Sequence, residues 1–121
     1  MEITERQEGD ATVLVVTGDI DLETSPALRT VLKAQAEKAK NGKAQGTASA
    51  LVLDFSGVGY IDSSGLATLI EYYQTVRDGG RGPALANVSK RVRNAFELVR
   101  LNEIFPFYAN VDEALQAVRA R

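Results

Sequence analysis

The chain has 121 residues, 45% of them apolar and 25% charged, and a net charge of −2. Those values fit one soluble globular domain over residues 1–121 and carry no electrostatic footprint for nucleic acid or an anionic membrane. With no cysteine and no histidine, disulfides, thiolate or imidazole metal sites, a histidine phosphorelay and Ser-His-Asp or Cys-His nucleophile pairs are all excluded.

The polar, acidic start MEITERQEGD is not a signal peptide, and no run approaches the ~20 apolar residues needed to span a bilayer. The expectation is a cytoplasmic protein. Glu2 to Gln7 alternates weakly and reads as an edge strand, and Gly9-Asp10 is a hairpin turn. Thr12–Thr17, TVLVVT, is a β-branched strand closed by Gly18. Ser25 and Pro26 suit the N-cap and first position of a helix. Leu28, Val31, Leu32, Ala36 and Ala39 follow at helical spacing, interrupted by Gln35. Lys38 and Lys40 place positive charge at its C-terminal end. Asn41–Ser49 reads as a loop.

Leu51–Phe55, LVLDF, is a strand buried on both faces. After Gly57 and Gly59, Ile61 leads into Asp62-Ser63-Ser64-Gly65. Leu66, Leu69, Ile70, Tyr73 and Val76 mark a helix ending near Gly79-Gly80. Of the adjacent Tyr72 and Tyr73, at most one is core, and Tyr72 is a candidate contact residue. Pro83–Val88 is a fourth strand weakened by two alanines. Ser89 caps a helix reaching about Arg100, with Val92, Phe96 and Val99 inward. Ile104–Tyr108 is a last strand, and Asn110 caps a closing helix with Val111, Leu115 and Val118. Strands alternating with helices after a hairpin imply an α/β fold with a mixed sheet.

Several separated segments resemble the STAS domain family, of the anti-sigma factor antagonist type. Gly18-Asp19-Ile20-Asp21 looks like the family's G-[ED]-[LI]-D turn. Leu51–Phe55 followed by Ile61-Asp62-Ser63-Ser64-Gly65-Leu66 resembles its apolar strand and D-S-[ST]-G-L signature. Asn87-Val88-Ser89 with Val92, Phe96 and Leu98, and Asp112-Glu113-Ala114-Leu115, resemble later family segments. Two departures are a longer Asn41–Ser49 loop and Ala84 and Ala86 in place of larger apolar residues.

The resemblance implies a STAS fold: a mixed, mostly parallel sheet of four to five strands with about four helices. It implies no enzyme, cofactor or metal, but a partner-switching regulator of transcription. The partner would be an anti-sigma factor that is also a serine protein kinase. It would be bound by the unphosphorylated protein and released when Ser63 is phosphorylated, and a serine phosphatase would reset the switch. The partner surface would comprise Gly18, Asp19, Asp21, Thr24, Asp62, Ser63, Ser64, Gly65 and Leu66.

The residues themselves support part of this. A helix start offers free N–H groups and a positive dipole end that tolerate a phosphate. A phosphoryl group adds about −1.5 to −2 charges beside Asp19, Asp21 and Asp62. Gly65 would let a partner backbone approach. Plainer readings stand beside these. Asp62-Ser63-Ser64 could be only an N-cap segment, and Asp19 or Asp21 a turn residue bonding its own backbone. Lys90, Arg91 and Arg93 read as a solvated helix face.

Two other functions compete. One is a soluble STAS subunit of an ABC-type lipid or anion transport system, or of a stressosome-like scaffold. The other is an enzyme using Asp21 and Asp62 as an acid–base pair. Gly57-Val58-Gly59 is too sparse for a phosphate loop, which ranks the enzyme lower.

Overall fold

The computed structural model describes residues 1–44, 50–76 and 83–119, with residues 40–44 described by backbone alone. β1 (Glu2–Glu8) and β2 (Ala11–Thr17) form an antiparallel hairpin. Its two-residue turn starts at Gly9, whose φ of 68° suits a tight hairpin and disfavours a side chain. β3 (Ala50–Gly57) pairs parallel with β2, β4 (Ala84–Ala86) with β3, and β5 (Phe107–Tyr108) with β4. The strand order is therefore β1-β2-β3-β4-β5, the mixed, mostly parallel sheet expected.

α1 (Ser25–Ala44), α2 (Ser63–Val76) and α3 (Lys90–Leu98) connect the parallel strands, and α4 (Val111–Arg119) closes the chain. Strand alternation divides the core in two. Leu14, Val16, Leu51, Leu53, Phe55 and Leu85 face α1 to α3, where Leu28, Leu32, Leu69, Tyr72, Val92 and Phe96 meet them. Val13, Val52, Ala84 and Ala86 point the other way, against Ala114, Leu115 and Val118 of α4. The two β4 alanines therefore have a packing role. They thin the sheet face where α4 lies against β3 and β4, and both are fully buried.

Several expectations are corrected. α1 continues to Ala44, into the segment read as a loop; the remainder, residues 45–49, lies outside the described residues, as do Gly79 and Gly80. Lys38 is consequently inside α1, where its Nζ meets Gln7 Oε1 at 3.1 Å and Glu5 Oε2 at 3.9 Å on β1. Gln35 is buried and satisfied, donating to Glu5 Oε1 at 2.7 Å. In α2 Tyr72 is the core tyrosine, while Tyr73 is half-buried and packs edge-on to Phe105, 5.9 Å between ring centroids. Burial pushes the Tyr72 phenol up to about 12, so it stays neutral at physiological pH.

α3 stops at Leu98; Val99 is more than half exposed, and Arg100 takes a left-handed φ of 62°. The expected strand Ile104–Tyr108 shrinks to β5. Leu101–Glu103 is a 3₁₀ turn, Phe105 plugs the core, and Pro106 has no N–H to give a ladder. No helix among the described residues is long and apolar enough to cross a membrane.

The alanine layer under α4 gives a test. Ala84→Leu should cost about 1–3 kcal/mol by overpacking, read as a lower urea midpoint. An unchanged midpoint would mean that α4 does not sit tightly on β4.

Candidate functional site

β2 and β3 stay joined beyond their strands. Gly18, with a φ of 109°, donates its N–H to Gly57 O at 2.9 Å. Ile20 and Ile61 then form an isolated parallel bridge. Ile20 N donates to Tyr60 O at 2.9 Å, and Asp62 N donates to Ile20 O at 3.0 Å. Both isoleucine side chains are buried. The stretches Gly18–Thr24 and Asp62–Leu66 are thus hydrogen-bonded neighbours beyond the C-terminal ends of two inner strands, where α1 and α2 begin.

Asp62 starts α2. Its Oδ1 accepts from Ser64 N at 2.9 Å, Ser64 Oγ at 2.5 Å and Gly65 N at 3.2 Å. That is an N-cap, satisfying donors that a helix start leaves open. The Ser64 hydroxyl, helped by the N–H groups of Gly65, Ser64 and Leu22, holds this carboxyl below its ordinary 3.8 against the opposing effect of burial.

Asp21 does the same for the first loop. Its Oδ1 accepts from Glu23 N and Thr24 N, each at 3.0 Å. The Thr24 hydroxyl accepts from Asp21 N at 2.9 Å and lies within donating distance of Asp19 O (2.8 Å) and Asp21 Oδ1 (3.1 Å). Asp21 is therefore the turn residue of the pair. Asp19 is exposed, and its carboxylate makes no hydrogen bond among the described residues.

Ser63 is the first residue of α2, exposed, and its hydroxyl has no partner among the described residues. Ser64, by contrast, is committed to Asp62. Gly65 and Leu66 are buried, and the reason for Gly65 is internal. A Cβ there would lie 2.6 Å from Ile20 Cγ2 and 2.7 Å from Ile61 Cγ1. The glycine lets α2 close onto the bridge; its missing side chain serves the interior and not an approaching partner.

Sequence reasoning missed two residues here. Leu22 is 78% exposed and Tyr60 37%. The signal for Leu22 was present: an apolar residue inside a polar turn, outside every apolar periodicity. The Arg91 guanidinium lies over the Tyr60 ring, 5.2 Å from its centroid, so this member of the expected solvated face has a partner. A crevice between α1 and α2 is lined by Arg29, Leu32, Glu71 and Tyr72 among others, but by neither Asp21 nor Asp62. Each carboxylate instead spends its Oδ1 on donors of its own loop.

The model of the STAS domain matches residues 2–114. The chain belongs to the STAS domain family. It is 27% identical over 101 residues to the anti-sigma-B factor antagonist of Bacillus subtilis (strain 168), covering 84% of each chain. It is similar to the crystal structure of an anti-sigma factor antagonist from Mycobacterium paratuberculosis, with 28% identity and a TM-score of 0.82, covering 98% of this chain and 93% of that one. The fold is also that of the anti-sigma factor antagonist SpoIIAA in its unphosphorylated form, at 20% identity and a TM-score of 0.76, covering 99% and 98%. The Bacillus cell fate determinant SpoIIAA in the phosphorylated form matches at 19% identity and a TM-score of 0.66, covering 97% and 99%.

Two predictions follow from this geometry. Gly65→Ala forces a methyl group into the Ile20–Ile61 contact and should destabilise the domain by about 1–3 kcal/mol; a thermal melt within a degree of wild type would refute the contact. The Asp62 cap should be pH-dependent. Because its folded pKa lies below the ordinary value, it contributes stability above that value and loses it as pH falls through the folded pKa. The stability gap between wild type and Asp62→Asn should therefore be full at pH 7 and close on acidification below about pH 4. A gap independent of pH would exclude a charged cap.

Proposed function

We propose that the protein is an anti-sigma factor antagonist, a phosphorylation-controlled binding switch with Ser63 as its phosphoacceptor. The observation that carries this reading is the contrast between two adjacent serines. The Ser64 hydroxyl is spent on Asp62, whereas the Ser63 hydroxyl is exposed at the first residue of a helix. A kinase can reach Ser63 without breaking a cap, and a phosphate there meets the positive end of α2. The 27% and 28% identical relatives that bear the anti-sigma factor antagonist name support the partner class.

The partner is an anti-sigma factor that is also a serine protein kinase, acting in the cytoplasm, and a serine phosphatase reverses its mark. Unphosphorylated, the protein offers Asp19, Ser63 and the loops held by Asp21, Thr24 and Asp62. A phosphoryl group adds about −1.5 to −2 charges to a surface that already carries carboxylates. Two unit charges ~4 Å apart at an effective dielectric of ~20 interact by about 4 kcal/mol. Even ~2.7 kcal/mol of net penalty is about a hundredfold in affinity, enough to release the partner. The domain binds and does not turn over substrate, needing neither cofactor nor metal.

Intact-mass spectrometry of the protein from its native cells should find a species heavier by roughly 80 Da, one phosphoryl group, mapping to Ser63. With kinase and ATP, Ser63→Ala should abolish labelling while Ser64→Ala largely keeps it. Labelling that survives in Ser63→Ala and vanishes in Ser64→Ala would move the site and undo this reading.

A further inference from the structure

Leu22 is a costly residue to leave in water, and nothing in its surroundings explains the exposure. Fully burying a leucine is worth about 1.5–3 kcal/mol, yet this one is 78% exposed. A single exposed leucine is ordinary on a protein surface, so exposure alone carries nothing. Three further features set this one apart.

The first is rigidity. Leu22 sits in the turn that Asp21 and Thr24 hold through the hydrogen bonds to Glu23 N, Thr24 N and Asp21 N. The turn cannot fold back to bury it without breaking them. A rigid anchor loses little conformational entropy on binding.

The second is position. Leu22 lies two residues beyond Ile20, and Ser63 two residues beyond Ile61, on either side of the Ile20–Ile61 bridge. The bridge is closed by Ile20 N donating to Tyr60 O and Asp62 N donating to Ile20 O, and Asp62 caps the helix on which Ser63 is first. Leu22 and Ser63 therefore stand on two adjoining loops joined at one bridge.

The third is charge. Asp21 and Glu23 flank it in sequence, and Asp19 and Glu23 are exposed. An apolar centre ringed by carboxylates is complementary to an apolar pocket with a cationic rim.

We infer that Leu22 is the apolar anchor of the switch surface, and that the partner is a protein presenting an apolar pocket rimmed by basic side chains. The inference rests on the anti-sigma factor antagonist reading and adds to it the residue that reads partner identity. It also gives phosphorylation a second effect. A phosphoryl group on Ser63 would have to be desolvated for Leu22 to enter its pocket, so the modification acts on the anchor as well as on the carboxylates.

The test is affinity for each purified anti-sigma factor kinase of the source organism. Leu22→Ala should weaken binding at least tenfold, and Leu22→Met should restore most of it. Leu98→Ala is the control: Leu98 is 85% exposed, but it is the last residue of α3, a helix that leads back from the strand ends beside Ser63. It should bind within twofold of wild type. All three should melt within a few degrees of wild type. The Ser63→Asp penalty should also be smaller in the Leu22→Ala background than in wild type, since residues of one interface couple. Binding by wild type and Leu22→Ala within twofold of each other would overturn the anchor and leave the partner class standing. So would an equal loss in Leu98→Ala. Failure of wild type to bind any of these kinases would overturn the partner class and the anchor together.

Discussion

The candidate site depends on one short interaction, the parallel bridge between Ile20 and Ile61. β2 and β3 could have separated at their ends, as parallel strands do when each chain turns into its own helix. Instead three hydrogen bonds carry the pairing past the strands. Two buried isoleucines seal it, each worth about 1.5–3 kcal/mol in apolar burial. The glycine opposite them allows α2 to settle on the pair. What looks like a cluster of loop residues is therefore a preorganised surface. Its polar side chains divide into those that hold the geometry, Asp21, Thr24, Asp62 and Ser64, and those left to meet something else, Asp19 and Ser63.

The same sheet is asymmetric in its cover. Three helices bury one face, and α4 alone covers the other through a thin, alanine-rich layer. This leaves the rim at the start of α1 and α2 clear of α4. Arg119 at the far end of α4 instead reaches back to Glu8 O, at 3.4 Å, beside the hairpin turn. The cation–π contact of Arg91 with Tyr60 brings α3 to the border of the rim.

Most of the architecture was legible in the chain because periodicity reports burial. TVLVVT and LVLDF are strands between helices in the structure, and the D-S-S-G-L segment does open a helix. The failures have physical causes. Tyr72 and Tyr73 are adjacent, so a stripe drawn a single position off exchanges core for rim. Phe105 and Pro106 look like strand residues by composition, but one plugs the core and the other lacks an N–H. Ala84 and Ala86 read as a weak strand because periodicity says nothing about how close α4 must come. At the site, the sequence located the loops and could not apportion roles. Which aspartate caps and which serine is spent are set by side-chain directions within each turn, and Gly65 lacks a side chain because of Ile20, on a segment about forty residues away.

A protein whose work is to gain and lose partners must also refuse unwanted ones, and the sheet margins bear on that. β5 offers only two residues on one side. On the other side β1 is seven residues long and exposed along most of its length, an invitation to strand addition. Its composition refuses the offer. A second copy laid antiparallel about Glu5 would set Glu5 against Glu5 and Glu2 against Glu8, like charges directly opposed across the new seam. Self-association through the hairpin is thereby discouraged, and encounters are left to the rim that carries Leu22 and Ser63.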